Sequence, residues 1–367
     1  MQNAPHLAFF ISPHGFGHAA RSAAVMSAFC RLMPESRVTA LTTVPEFLFE
    51  DLPVARFELV PFTCDVGLAQ KTPTVIDFSA TVARLDAFWK TREAKIRQAA
   101  DLLTARGCTM VVCDIAPLGI LAAKRAGLPA ALLENFTWDW IYRGLPEADG
   151  ALDRYAEIFA KVFETADLRI QSEPVCQPCK GCSRVEPIAR PIRTDRWRLR
   201  ETLGLDAGDR AVLITMGGLA EAWGSLAPFS SVPELTFLLP GLCGRDRNVI
   251  GLGEGHAFYH PDWVSAADLV VGKLGYSTVT EVIQAGTPMA FLDRPDFPES
   301  KVLADYLQSE SSLAKIDSFT GEAWVDSLRE WVSLPRRPAR TLAGARQAAE
   351  ILRAFQVQSS IRTTISD

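Results

Sequence analysis

The sequence predicts an α/β protein made of two Rossmann-like halves, and three observations carry that expectation. At 367 residues the chain is long enough for two domains of ordinary size. Each half opens on a short apolar run that meets a glycine turn: Leu7-Ala-Phe-Phe-Ile11 before Ser12-Pro-His-Gly-Phe-Gly-His18, and Ala211 to Thr215 before Met216-Gly217-Gly218. Further on, the apolar run Leu269 to Val271 enters a loop with Gly272, Lys273 and Gly275. Ser277 and Thr278 then open a helix that stops at Gly286, and Met289 to Leu292 makes the next strand.

In the first half, Leu7 to Ile11 is a strand and Ala19 to Met33 has helical spacing, ended by Pro34. Arg37 to Thr43 and Arg56 to Phe62 are the second and third strands. Phe78 to Arg106 reads as one long helix with Leu85, Phe88, Trp89, Ile96, Ala99 and Leu103 along one side. Thr109 to Cys113 is the fourth strand, and Asp114 is expected just beyond its carboxyl end, where open α/β sheets bind ligands. Pro117 to Ala126 is a helix and Pro129 to Leu133 a strand. Glu134 to Trp140 is an aromatic-rich loop, Asp149 to Ala166 a helix and Leu168 to Gln171 a strand. The first domain is thus expected over residues 1–172.

Ser172 to Arg200 is rich in Pro, Cys and Arg and poor in periodicity, so residues 173–200 are expected to cross between domains. The second domain, 201–340, has strands at Ala211 to Thr215, Leu235 to Leu239 and Asn248 to Leu252 besides those already named. His260-Pro-Asp-Trp-Val264 leads into a short helix, and Ser300 to Gln308 and Ala323 to Val332 are helices. Ala339 to Phe355 is helical, with 341–357 expected to pack back on the first domain and 358–367 to be a loose tail.

Composition limits the partners. Formal charge is −5, and no Lys/Arg run stands out, which disfavours nucleic acid or an acidic membrane surface. The start lacks a basic region and a long apolar run, and no stretch reaches the roughly 18 apolar residues of a membrane span. A cytoplasmic protein is expected. Of the eight cysteines, Cys176, Cys179 and Cys182 stand out by their two-residue gaps; a surface loop, a metal site and a redox-labile pair all fit them.

The residues around Ser277 suit an anion. A helix N-terminus offers unpaired N–H groups and the positive end of the helix dipole, and Lys273 adds a charge. The first loop spells Gly15-Phe-Gly17 with Ala at position 20, and no acidic residue follows the second strand, so NAD is disfavoured.

Gly275-Tyr-Ser-Thr-Val-Thr-Glu281 followed by Ala285-Gly-Thr-Pro-Met289 resembles the donor segment of GT-B glycosyltransferases, in which two Rossmann-like domains face across a cleft. His14-Gly-Phe-Gly-His-Ala-Ala-Arg21 resembles, more narrowly, bacterial glycosyltransferase-like proteins related to the amino-terminal part of L-arabinokinases. The galactokinase-like half of those kinases has no counterpart in these residues. The resemblance implies that Glu281 grips the ribose hydroxyls of a sugar nucleotide, UDP by default. It implies that Ser277, Thr278 and Gly275 meet the phosphates, with Gly217 and Gly218 opposite. Lys273 stands where many relatives have a histidine near the diphosphate, and Asp296 and Glu299 fall near acidic sugar-contacting positions.

On the acceptor side the resemblance puts His18 in the place of the general base and Asp114 in that of the carboxylate orienting it. His14 is a second candidate base, and His14 with His18 also admits a metal pair. Arg21 replaces the proline of many relatives and is expected to reach an anionic group. Asn135 to Trp140 is expected either to line the cleft, where aromatic faces suit sugar rings or apolar acceptors, or to be a packed loop. The implied reaction is metal-independent, inverting sugar transfer to an unknown hydroxyl acceptor, with no cofactor beyond the sugar nucleotide. Two alternatives stay open: a sugar-nucleotide epimerase, and a non-catalytic sugar-nucleotide-binding protein of the same fold.

Overall fold

The computed structural model describes residues 4–72, 75–145, 150–216, 226–253, 259–316 and 323–366. The chain forms two compact units. Unit 1 comprises Met1–Ile188, Asp296–Glu299 and Leu342–Asp367; unit 2 comprises Ala189–Pro295 and Ser300–Thr341.

Unit 1 begins with β1 (His6–Ile11), α1 (Gly17–Leu32), β2 (Arg37–Thr42) and β3 (Phe57–Pro61). A short antiparallel pair, β4 (Gln70–Thr72) and β5 (Val75–Ile76), precedes α2 (Phe78–Lys90) and α3 (Arg92–Ala105). Then come β6 (Met110–Asp114), α4 (Pro117–Arg125), β7 (Ala130–Glu134), α5 (Trp138–Gly144), α6 (Asp153–Phe163), β8 (Leu168–Ser172) and β9 (Ser183–Val185). The parallel sheet has the order β3-β2-β1-β6-β7-β8-β9. Strands step outward from β1 to β3 and restart at β6 on the other side of β1. That reversal makes the β1–β6 boundary the switch point, where open α/β sheets form a crevice at the carboxyl ends. Pairing of Ile11 with Asp114 brings both strand ends to the same level.

Both faces of this sheet are covered, which explains the uninterrupted apolar runs. Along β1, Leu7, Phe9 and Ile11 enter one core with Ala19, Ala23 and Phe29 of α1, while Ala8 and Phe10 enter the other with Leu85, Leu103 and Phe159.

Unit 2 contains α7 (Arg196–Thr202), β10 (Arg210–Thr215), α8 (Ala227–Ser230), β11 (Leu235–Leu239), β12 (Cys243–Asp246), β13 (Val249–Leu252), α9 (His260–Ala266) and β14 (Leu269–Lys273). It continues with α10 (Tyr276–Ala285), β15 (Met289–Leu292), α11 (Pro298–Glu310, whose first two residues count with unit 1), β16 (Leu313–Ile316) and α12 (Ala323–Trp331). Its sheet, β12-β13-β11-β10-β14-β15-β16, is parallel except for β12. Gly272 is fixed by close approach: a Cβ there would lie 2.0 Å from the Thr215 carbonyl oxygen of neighbouring β10. Gly286 ends α10 in the left-handed conformation (φ 68°), the cap read from the sequence. The chain closes with α13 (Gly344–Ser366), whose Ala348, Ala349 and Leu352 join the core beside α1.

Several expectations change. The single helix over 78–106 is broken at Thr91, whose hydroxyl donates to the carbonyls of Ala87 and Phe88 while its backbone leaves the helical region. Asp114 is the last residue of β6 rather than beyond it. The aromatic loop becomes α5 from Trp138 onward. Within the expected crossing, Ser183–Val185 adds a strand to the first sheet, and the expected loose tail is the end of α13. Among the described residues no helix is long and apolar enough to cross a membrane.

Candidate active site

The first cluster forms at the switch point of unit 1. α1 starts at Gly17, so His18, Arg21 and Ser22 fall at i, i+3 and i+4 on one face. All three meet Asp114 at the carboxyl end of β6. His18 Nδ1 lies 2.8 Å from Asp114 Oδ1. Arg21 donates from Nη2 to Oδ1 at 2.6 Å and from Nε to Oδ2 at 3.0 Å, and Ser22 Oγ donates to Oδ2 at 2.9 Å. Arg21 and Asp114 are fully buried, and His18 keeps 8% of its surface exposed.

Burial by itself would push the Asp114 carboxyl up. The charge of Arg21 and the bonds from His18 and Arg21 outweigh it and hold the group at about 2. An ionised Asp114 accepts only, so His18 Nδ1 carries the proton; the Arg21 Nη2 contact to the same nitrogen, 3.2 Å, is then a neighbour and not a bond. The other ring nitrogen, Nε2, has no hydrogen-bond partner among the described residues. Ile115, directly after Asp114, is a buried β-branched residue at φ 48°. Backbone strain of about 1–3 kcal/mol is typical of such positions and is held here by the surrounding core.

Around the dyad, the His18 ring meets the Phe136 ring edge-on at 5.7 Å, and the His14 ring meets Trp138 at 5.2 Å. His14 Nδ1 accepts the Leu68 amide, which makes it a loop support. Gly67 must lack a side chain, because a Cβ would sit 2.7 Å from His14 Cβ. Trp138 is fully buried and its indole N–H donates to Asp65 Oδ2. Burial raises the Asp65 carboxyl to about 6, only partly offset by the Ser12 hydroxyl, the Val66 amide, the Trp138 indole and the His18 charge. Nothing in the residue pattern singled out Asp65.

The second cluster lies in unit 2. β14 ends at Lys273, Gly275 is the N-cap of α10, and no side chain caps that helix or places an acid in its first turn. A Cβ on Gly275 would meet nothing within 4 Å. Ser277 is half-buried, and Thr278 and Glu281 are buried. Glu281 is engaged internally. Its Oε2 receives His260 Nδ1 and its Oε1 receives Arg190 Nη2 at 3.4 Å, while His260 Nε2 lies 3.3 Å from Thr215 Oγ1. Burial works against ionisation of Glu281, but His260 and Arg190 pull its pKa below the ordinary value. His260 and Arg190 were missed: His260 stands one strand, β14, before the glycine loop, and Arg190 lies in the expected crossing, where no local signal marks it.

The other expected residues divide. Gly217 and Gly218 lie outside the described residues. Asp296 is exposed. Glu299 is buried in unit 1, where Asn135 Nδ2 donates to its Oε1 at 2.8 Å, so it joins the His18 cluster rather than the Glu281 cluster. Arg21 does not point outward to an anion: its guanidinium is spent on Asp114 and, through Nη1 at 2.6 Å, on Asn135 Oδ1. Cys179 and Cys182 are joined as a disulfide. Cys176 stays a thiol, its pKa raised by burial and by Glu299 and Glu134. Among the described residues no group of three His, Cys, Asp or Glu is placed to hold a metal ion.

These two units define the fold as that of the GT-B glycosyltransferases. UDP-glucose:anthocyanidin 3-O-glucosyltransferase, solved with UDP, superposes with a TM-score of 0.61 at 14% identity, covering 98% of this chain and 95% of that one. MurG of Acinetobacter baumannii superposes at 0.54 and 17% identity, covering 95% and 99%. In sequence the chain is similar to the L-arabinokinase of Arabidopsis thaliana, 26% identical over an alignment of 359 positions that covers 94% of this chain. It spans about a third (34%) of that protein's length. No family model matches the chain.

Proposed function

We propose that the protein is a glycosyltransferase. It moves a sugar from a nucleoside-diphosphate sugar, UDP-linked by default, to a hydroxyl acceptor in the cytoplasm, without a metal and with inversion. The observation that carries this is the His18–Asp114 pair at the switch point: an imidazole held by Nδ1–H to an ionised carboxylate, with no hydrogen-bond partner for Nε2 among the described residues. That is the tautomer and orientation a general base needs. His18 Nε2 takes the acceptor hydroxyl proton as its oxygen attacks the anomeric carbon, and the nucleoside diphosphate leaves. Asp114 stabilises the imidazolium that forms.

The donor's diphosphate is read as lying on the amides opening α10, at Gly275, Ser277 and Thr278; Gly217 and Gly218, which lie outside the described residues, are further candidates for it by the resemblance. Lys273 offsets the charge on the leaving oxygen. Glu281 accepts the ribose hydroxyls. The fold shared with UDP-binding transferases supports this reading, as does the absence of any acidic residue in the first turn of α10.

A second reading is favoured by one observation. The cluster read as the nucleotide site lies wholly in unit 2, whereas the His18–Asp114 pair belongs to unit 1, so unit 2 also suits a protein that binds a sugar nucleotide without turnover.

Calorimetric titration with UDP, GDP and dTDP, alongside a Glu281→Ala variant, tests the proposal. Micromolar binding of one nucleotide, lost in the variant, is expected. Absence of binding by all three sinks it, and binding without transfer over a broad acceptor panel moves the assignment to the second reading.

A further inference from the structure

A chain of buried polar groups continues past the dyad. Arg21 Nη1 donates to Asn135 Oδ1 at 2.6 Å, and Asn135 Nδ2 donates to Glu299 Oε1 at 2.8 Å. Asn135 is fully buried and Glu299 is 4% exposed, so neither bond is exchanged freely with water. All five residues, His18, Arg21, Asp114, Asn135 and Glu299, belong to unit 1.

We propose that Asn135 and Glu299 are positioning residues that set the polarity of this chain and thereby the tautomer of His18. An amide has one accepting end and one donating end, and the two are nearly equal in shape. A carboxylate only accepts. Arg21 only donates and Glu299 only accepts, so the two together hold the accepting end of Asn135 toward Arg21 and the donating end toward Glu299. With Nη1 so occupied, the guanidinium plane is fixed, and Nε and Nη2 face the two oxygens of Asp114. Asp114 stays ionised and accepts the proton of His18 Nδ1. If Asn135 turned over, its N–H would face Arg21 N–H, and the guanidinium would have to leave the plane that serves Asp114. The positioning rests on these bonds; the role of His18 as base rests on the reading proposed above.

The chain can be tested by exchanging its polarity. Asn135→Asp places two carboxylates about one hydrogen bond apart. The double variant Asn135→Asp, Glu299→Gln restores every bond with the same total charge: the amide introduced by Glu299→Gln donates to one oxygen of the new carboxylate, and Arg21 donates to the other. The readout is the ring nitrogen spectrum of His18 by NMR, assigned among the five histidines by its loss in His18→Gln. The Nδ1–H form is expected in the wild type and the double variant, and a mixture of ring forms in Asn135→Asp. Should Asn135→Asp fail to fold, the pair Glu299→Gln and Glu299→Leu decides. Gln keeps an accepting oxygen toward Asn135 and should preserve the wild-type signals, whereas Leu should lose them. Identical His18 signals in Asn135→Asp or Glu299→Leu and the wild type overturn the proposal, as does failure of the double variant to restore them. The measurement needs no donor or acceptor, so a protein that passes it and transfers no sugar refutes the transferase reading alone.

Discussion

His18 and Arg21 share one oxygen of Asp114: Oδ1 takes His18 Nδ1 at 2.8 Å and Arg21 Nη2 at 2.6 Å. The carboxylate therefore serves as the counter-ion of a buried guanidinium and as the orienter of the imidazole at once. Asp114→Asn should cost about 3–5 kcal/mol of stability, because a buried arginine loses its partner. It should lower turnover by roughly 10³- to 10⁴-fold if His18 is the base, since the amide no longer fixes the tautomer. Denaturant unfolding and initial rates measure the two effects. A stable, fully active Asp114→Asn protein would remove Asp114 from both roles.

The same carboxyl gives an acid limb. Its pKa falls from 3.8 to about 2 on folding, so its contribution is present above pH 3.8 and lost as pH falls toward 2. At 1.36 kcal/mol per unit this is about 2 kcal/mol. The stability advantage of the wild type over Asp114→Asn should therefore shrink by part of that amount between pH 5 and pH 2.5, a difference from which the other titrating groups cancel.

Asp65 acts in the opposite direction. Its pKa rises from 3.8 to about 6 on folding, so its stabilising protonated form is present below pH 3.8 and lost as pH rises through 6. The full effect is about 3 kcal/mol, of which roughly 1 kcal/mol falls between pH 5 and pH 7. His6 offsets this in the wild type, because burial lowers its pKa and folding loses stability as pH falls below 6.5. The difference between wild type and Asp65→Asn isolates the aspartate. The variant should lose about 1 kcal/mol at pH 5, having given up one of the bonds from Val66 N–H and Trp138. Relative to the wild type it should gain as pH rises to 7. A pH-independent difference would refute the assignment.

Gly272 tests the register of unit 2. With the Thr215 carbonyl oxygen 2.0 Å from an added Cβ, Gly272→Ala must part β10 from β14. A loss of about 3 kcal/mol or more is expected from overpacking and broken ladder bonds, read as a fall in the unfolding midpoint. Gly275→Ala, where the space is open, should be near neutral for stability.

Much of this arrangement was legible in the sequence because local signals agreed with the tertiary outcome. The apolar runs at Leu7 and Leu269, the glycine turns and the stop at Gly286 each reflect a backbone demand that the residue itself reveals. The His18–Asp114 pairing entered through resemblance and is realised by the β1–β6 register. What stayed hidden depends on long-range packing. No periodicity shows that Thr91 breaks a helix, that Asp65 faces an indole, or that Glu299 meets an asparagine 164 residues earlier. Arg21 was misread for a related reason: a sequence shows a charge but not its partner, and here the partner is internal.

Glu281 offers the sharpest test of the donor site. A carboxylate has about four lone-pair positions, and His260 and Arg190 occupy two of them, so two remain for a vicinal diol. If the ribose hydroxyls use them, UDP should bind the wild type more tightly than 2′-deoxy-UDP, by about 10-fold or more for one hydrogen bond to a charged group. Glu281→Gln should bind UDP more weakly and discriminate less, because one accepting oxygen becomes a donor. His260→Ala should lose a smaller part of the affinity, since it holds Glu281 without replacing it. Calorimetry on the three proteins with both nucleotides completes a cycle in which any general loss of stability affects both ligands alike. Equal binding of UDP and 2′-deoxy-UDP by the wild type would mean that Glu281 only closes the network of Arg190, His260 and Thr215, and the ribose contact would have to be sought on another residue.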